Sequence, residues 1–333
     1  MSKENFQYWK ELVGLEPPEF PRLIELDEET IEQAVVVPDR LTRIKSAIAA
    51  NPLVDIQIQP GWGATTLFRF LQFELGKDPL SLLVCFDFEK DILDGSLTED
   101  AFTFRIKWRM ARAICRLFRD RPMEPIYMFE VIGFEDIGAS PWQGYLRQLG
   151  RKLDACEDSE AEFYKLFPFF SQRPVDVCIN YFLSNFQLRT VFLYLFPRKV
   201  PDDPLYEFVG MLKNIFDGKD IKPAAKRELY LCTPKLFRKL KETYERPYSN
   251  VLYQRYSVAE IFRMLISTYR LDGSSQTLSD VFSENYITAA YSDKLTLNEI
   301  MEIVEKSITD ELTGNTAQIP YRLGEGKNEE AIR

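Results

Sequence analysis

The sequence predicts an α/β protein, a three-layer parallel sheet with helices on both faces followed by a small all-helical domain. Three observations predict it. Short, nearly all-apolar runs such as "SLLVCFDF" (81–88), "TVFLYLF" (190–196) and "RELYLCT" (227–233) are bounded by turn residues, as strands covered on both faces are. Helical stretches separate these runs, the alternation that produces parallel crossovers. After residue 250 the strand-like runs largely stop and helical periodicity takes over.

Each element follows from its own residues. Residues 1–37, with "GLEPPEFPRLIELDEET", are Pro-rich and acidic and read as an irregular arm. In "PDRLTRIKSAIAANP" (38–52), Leu41, Ile44 and Ile48 fall on one stripe behind Pro38, which predicts a helix. A strand over 54–59, a Pro-Gly-Trp-Gly turn, a helix over 65–76 and the strand 81–88 come next. The run 98–120 is a long helix, 125–133 a strand, and 141–185 mostly helical. The strand 190–196, a helix over 203–218, the strand 227–233 and a helix over 234–244 complete an α/β domain spanning 38–249. Within 250–313, the runs 257–270, 275–291 and 296–312 are helical, two of them started by capping boxes at Ser257/Glu260 and Thr296/Glu299. Residues 314–333 are polar and read as a flexible tail.

Composition narrows the function. A chain of 333 residues calls for two packed domains or one large domain with an appendage. No apolar run approaches the ~20 residues that span a bilayer, and "MSKENFQYWKEL" has no apolar segment of the secretory kind. Cys85, Cys115, Cys156, Cys178 and Cys232 are odd in number and scattered through apolar runs, which predicts reduced, buried thiols and a cytoplasmic location. Histidine is absent, which removes Ser-His-Asp and Cys-His catalysis, HExxH zinc sites and any histidine base. A net charge of −9 argues against nucleic-acid binding by the whole surface, while leaving room for a local basic patch.

The stretch "IQIQPGWGATTLFRF" (56–70) is a strand, a Gly-containing turn and a helix start. Phosphate-binding loops read G-x-x-x-x-G-K-[ST], with backbone amides around the phosphates and a Lys on the β/γ oxygens. Aligning Gly63-Ala64-Thr65-Thr66 on the G-K-T-T ending puts Ile58 at the first Gly and Ala64 at the Lys. Ala64 supplies no cation, and Ile58 does not enter positive φ cheaply. A degraded loop, an ordinary turn and a working loop are the three readings the residues leave open.

The order of elements, this loop, and Pro38-Asp39-Arg40 ahead of it make the chain resemble the AAA+ P-loop ATPases, initiators and transposition regulators in particular, over residues 38–312. The resemblance implies a P-loop NTPase-like sheet, a helical lid over 250–313, and phosphate contacts from Gly61, Gly63, Thr65 and Thr66, with Thr65 placed for the Mg²⁺-bound hydroxyl. It also implies an Asp-Glu pair at the end of a buried strand, where Phe196 and Pro197 stand instead and neither holds a metal nor orients a water. Asp87 and Glu89 follow four apolar residues but lie on the strand immediately after the loop helix, and read as end caps. Thr233 takes the place of a γ-phosphate sensor, though a helix N-cap before Pro234 explains it as well. Arg263 or Arg270 would be a lid arginine, and Arg173 or Arg198 one that reaches a neighbouring subunit. With both hydrolytic halves lost, the resemblance implies a pseudo-ATPase with no catalytic residue, no metal ligand, and either no cofactor or weakly held ATP/ADP. Its role is that of an assembly or regulatory scaffold on an active ATPase or nucleoprotein complex, in a homo- or hetero-oligomer and without a membrane. The alternative is a nucleotide-dependent DNA-binding ATPase in which another Lys serves at position 64.

Basic residues form two clusters. Arg105, Arg109, Arg112, Arg116 and Arg119 recur at +4, +3, +4, +3 and share one narrow helix face, beside a buried stripe of Ile106, Met110, Ala113 and Leu117. Nucleic-acid phosphates, an acidic protein partner or internal carboxylates would each satisfy such a face. Lys235, Arg238, Lys239 and Lys241 flank Leu236, Phe237, Leu240 and Tyr244 and read as a charged helix exterior or a phosphate track.

Overall fold

A computed structural model of the chain describes residues 41–59, 62–88, 98–119, 142–196, 202–216, 220–243 and 249–253. The N-terminal arm, the expected strand at 125–133, the three helices after 257 and the tail lie outside the described residues. The chain divides into two compact units, one made of 1–43, 58–70 and 252–333, the other of 44–57 and 71–251.

The elements in chain order are α1 (Leu41–Ala50), β1 (Leu53–Ile58), α2 (Ala64–Gly76), β2 (Ser81–Asp87), α3 (Glu99–Arg119), α4 (Trp142–Asp154), α5 (Glu160–Leu166) and α6 (Pro168–Ser171). There follow α7 (Val175–Phe186), β3 (Arg189–Leu195), α8 (Asp202–Phe216), β4 (Lys226–Cys232), α9 (Pro234–Thr243) and β5 (Ser249–Tyr253). The sheet order is β2-β3-β4-β1-β5, with β2–β3, β3–β4 and β4–β1 parallel. From β1 the chain crosses two strands to reach β2, and from β4 it crosses β1 in the opposite direction to reach β5. The direction in which the chain moves across the sheet therefore reverses between β1 and β4. The strand β5 crosses the boundary expected at 249/250. As an edge strand it needs no two-sided burial, so "SNVLY" carries none of the continuous apolar signal of the inner strands.

Alternation along the strands sorts the core into two faces. On one, Leu82, Val84 and Phe86 of β2, Phe192 and Tyr194 of β3, and Tyr230 of β4 are all buried. Their rings pack on the helices, Phe86 5.4 Å from Phe102 of α3, Phe192 5.1 Å from Phe216 of α8, and Tyr194 stacked 4.9 Å from Tyr230. On the other, Val54 and Ile56, Val191 and Leu193, and Leu229 and Leu231 are equally buried. Arg227 projects to this second face and ties it to α1, donating to the carbonyls of Ala49 (2.9 Å) and Asn51 (3.1 Å).

The helical cover is deeper than three layers. The indole Nε1 of Trp108 in α3 donates to the Leu153 carbonyl of α4 at 2.9 Å, and Phe104 meets Phe163 of α5 edge-on at 5.5 Å. Thus α3 lies between the sheet and a second helical layer. Its residues Phe102, Ile106, Met110, Ile114 and Phe118 are buried on one side, and Phe104, Lys107, Trp108 and Ala111 on the other.

Candidate functional site

The loop after β1 forms a tight turn. The Trp62 N–H donates to the Gln59 carbonyl (3.2 Å), Trp62 is buried, and Gly63 sits at φ 80° directly before α2. That left-handed conformation needs glycine. The first bond of α2 runs from the Leu67 N–H to the Gly63 carbonyl at 2.8 Å. Ala64 therefore opens the helix, and Thr65 stands half-buried in its first turn, where amides lack intrahelical partners. Of the other predicted phosphate contacts, Gly61 lies outside the described residues, and only the backbone of Thr66 is described, within α2.

At the end of β3, Phe196 is buried against aromatic rings, stacked 6.1 Å from Tyr230 and edge-on to Phe208 at 5.7 Å, with Phe88 at 5.5 Å. The first of the two positions where the family resemblance puts an acidic pair is thus core, and Pro197, the second, lies outside the described residues. Thr233 sits before α9 with its Oγ1 accepting from the Leu236 N–H at 3.5 Å, the geometry of an N-cap. Arg173 is engaged locally, donating to the Phe169 carbonyl (3.0 Å) with its guanidinium 4.2 Å above that ring. Arg198, Arg263, Arg270 and Glu89 lie outside the described residues.

The arginine face of α3 is not uniform. Arg109 turns inward, its Nη1 donating to the Cys85 carbonyl of β2 at 2.6 Å and its guanidinium lying 4.8 Å from the Phe86 ring. Arg112 is exposed, pairs through Nε with Asp154 of α4 at 3.3 Å, and stacks over Trp108 at 5.3 Å. Arg116 is exposed and Arg105 half-exposed. Arg119 closes the helix, with only its backbone described. The buried stripe includes Ile106 and Met110 as expected, with Ala113 and Leu117 partly buried against the core.

A further cluster, on β1 and β4, escaped the sequence reading. Asp55, Glu228 and Lys226 are all buried within the sheet face that carries Tyr230. Lys226 Nζ lies 2.9 Å from Glu228 Oε2 and 4.0 Å over the Phe216 ring, while the Tyr230 hydroxyl donates to Glu228 Oε1 at 3.0 Å. Asp55 pairs with Tyr230 in register and Leu53 with Glu228, so the two carboxyls are diagonal neighbours on one face. Burial, and then the negative charge of Glu228, pushes the Asp55 carboxyl up to about 7. The signal was present: Asp55 in "LVDIQI" and Glu228 in "RELYLC" are acids inside strands whose apolar neighbours call for burial on both faces. Burial also pushes the thiols of Cys115 and Cys178 up to about 12 and that of Cys232 well above its ordinary value, so these three stay protonated and unreactive. Among the described residues no three His, Cys, Asp or Glu side chains converge as for a metal ion, and no helix is long and apolar enough to cross a membrane.

No family model and no curated protein matches the chain. Among solved structures it is similar to Cdc6p from Pyrobaculum aerophilum, with 12% identity, a TM-score of 0.43, and coverage of 87% of this chain and 67% of that one.

Proposed function

We propose that this chain is a non-hydrolysing, AAA+-like subunit that serves as an assembly or regulatory scaffold in a larger protein or nucleoprotein complex in the cytoplasm. The observation that carries the reading is Phe196. A ring packed among Tyr230, Phe208 and Phe88 fills the strand end where a hydrolase of this kind needs carboxylates. Ala64 as the first residue of α2 supports it, because no side-chain cation stands at the loop's helix start. The parallel sheet of β2, β3, β4 and β1, and the glycine turn leaving β1, support descent from a nucleotide-binding fold. Any ATP or ADP would be a weak structural ligand on the amides around Gly61, Gly63, Thr65 and Thr66.

The test is to incubate the full chain with Mg-ATP, follow phosphate release, and record native mass spectra with and without nucleotide. The reading expects no release above the protein-free background. Sustained turnover by wild-type protein, abolished by substitution at Thr65, would overturn it in favour of an active ATPase with an atypical loop.

A further inference from the structure

We propose that the arginine face of α3 joins a matching stripe on α4 to form a two-helix track for the phosphate backbone of a nucleic acid. This track does not depend on whether the β1 loop binds nucleotide. On α4, Arg147, Arg151 and Asp154 follow one another at i, i+4 and i+7 and so share a face. The α3 and α4 stripes meet where Arg112 pairs with Asp154. Arg112, Arg116, Arg147, Arg151 and Lys152 are all exposed. On α3 the exposed Arg112 and Arg116 lie about 6 Å apart along the axis at 1.5 Å per residue, the axial rise of about two base pairs. The acids Glu99 and Asp100 belong to the first turn of α3 and, by helical spacing, point away from the arginine face.

Two features favour a nucleic acid over an acidic protein. A protein interface is built around an apolar or aromatic centre depleted in charge. Here Ile106, Met110, Leu149 and Leu153 are buried, and the exposed residues described on both helices are all polar. The basic residues on the α3 face are also all arginine, the side chain whose planar fork matches phosphate, whereas the one lysine of α3, Lys107, is buried. Asp154 does not close the track. Its partner Arg112 is more than half exposed, and such surface pairs contribute so little that a phosphate displaces the carboxylate readily.

Fluorescence anisotropy of the full chain with a labelled duplex of about 30 base pairs, and with its single strand, from about 50 to 200 mM salt, tests the track. Affinity falls steeply with salt, and the triple variant Arg112→Gln/Arg147→Gln/Arg151→Gln binds at least ~10-fold more weakly with a log–log salt slope reduced by about 3. Circular dichroism checks the fold. Should the triple variant unfold, Arg147→Gln alone is expected to lower the slope by about 1. Unchanged binding by a folded variant overturns the proposal, as does the absence of wild-type binding at the lowest salt. If poly-glutamate binds and the nucleic acids do not, the face is a dock for an acidic protein and the proposal fails.

Discussion

At the scale of single residues, the most informative side chain is Asp55. A carboxyl held near 7 in the folded chain instead of the ordinary 3.8 costs on the order of 4 kcal/mol of stability at alkaline pH. The sign follows from proton binding. Between those two values the folded state holds the proton more tightly, so stability falls as pH rises through the window and levels off above it. Asp55→Asn mimics the protonated form and removes the cost. The variant therefore melts several degrees above wild type at pH 8, and the difference shrinks to nothing as pH falls toward 4. A constant offset across that range would show that burial beside Glu228 does not set the Asp55 proton. On the same face, Lys226 and the Tyr230 hydroxyl satisfy the Glu228 carboxylate.

At the scale of elements, the two arginines one helical turn apart on α3 have opposite fates. Arg109 reaches a carbonyl of β2, an edge strand among the described residues, and so ties α3 to the sheet. Arg109→Met keeps the buried stem but loses a charge-assisted bond, which costs about 1.5–3 kcal/mol in urea unfolding. Arg112→Met loses a half-exposed ion pair and an exposed contact over Trp108, and costs about 1 kcal/mol. Equal losses would mean that the contact with Cys85 adds nothing to stability. The spacing of the arginines sets their positions along α3, since position on a helix is a matter of 3.6-residue periodicity. Their division into inward and outward residues was not legible, because the packing of α3 on β2 decides which guanidinium meets a strand carbonyl. The inner strands were legible to within a residue or two because burial on both faces leaves an unbroken apolar run. The second helical layer was not, because Trp108 and Phe104 read as any amphipathic residue until Leu153 and Phe163 arrive from distant sequence to cover them.

At the scale of the whole molecule, the proposed function treats the missing phosphate-binding cation and the missing hydrolytic carboxylates as separable departures from a working ATPase. Ala64 begins α2 directly after a glycine whose left-handed backbone sets the direction of the helix. A lysine there meets no steric obstacle from helix propensity, since Lys ranks close behind Ala. Phe196, by contrast, belongs to the aromatic core at the end of β3, and one substitution at the loop leaves it in place. Ala64→Lys is therefore expected to raise affinity for ATP without creating turnover. The readout is the thermal midpoint as a function of Mg-ATP concentration, because a ligand that binds only the folded state stabilises it by RT ln(1 + [L]/Kd). The variant's midpoint climbs with ATP more steeply than that of wild type, while phosphate release by both stays at background. A folded variant that gains no affinity would make the β1 loop an ordinary turn and remove the nucleotide-binding ancestry from the proposed function. A variant that hydrolyses ATP would place the water-orienting groups somewhere other than the end of β3, and the aromatic packing of Phe196 would then no longer argue against an active enzyme.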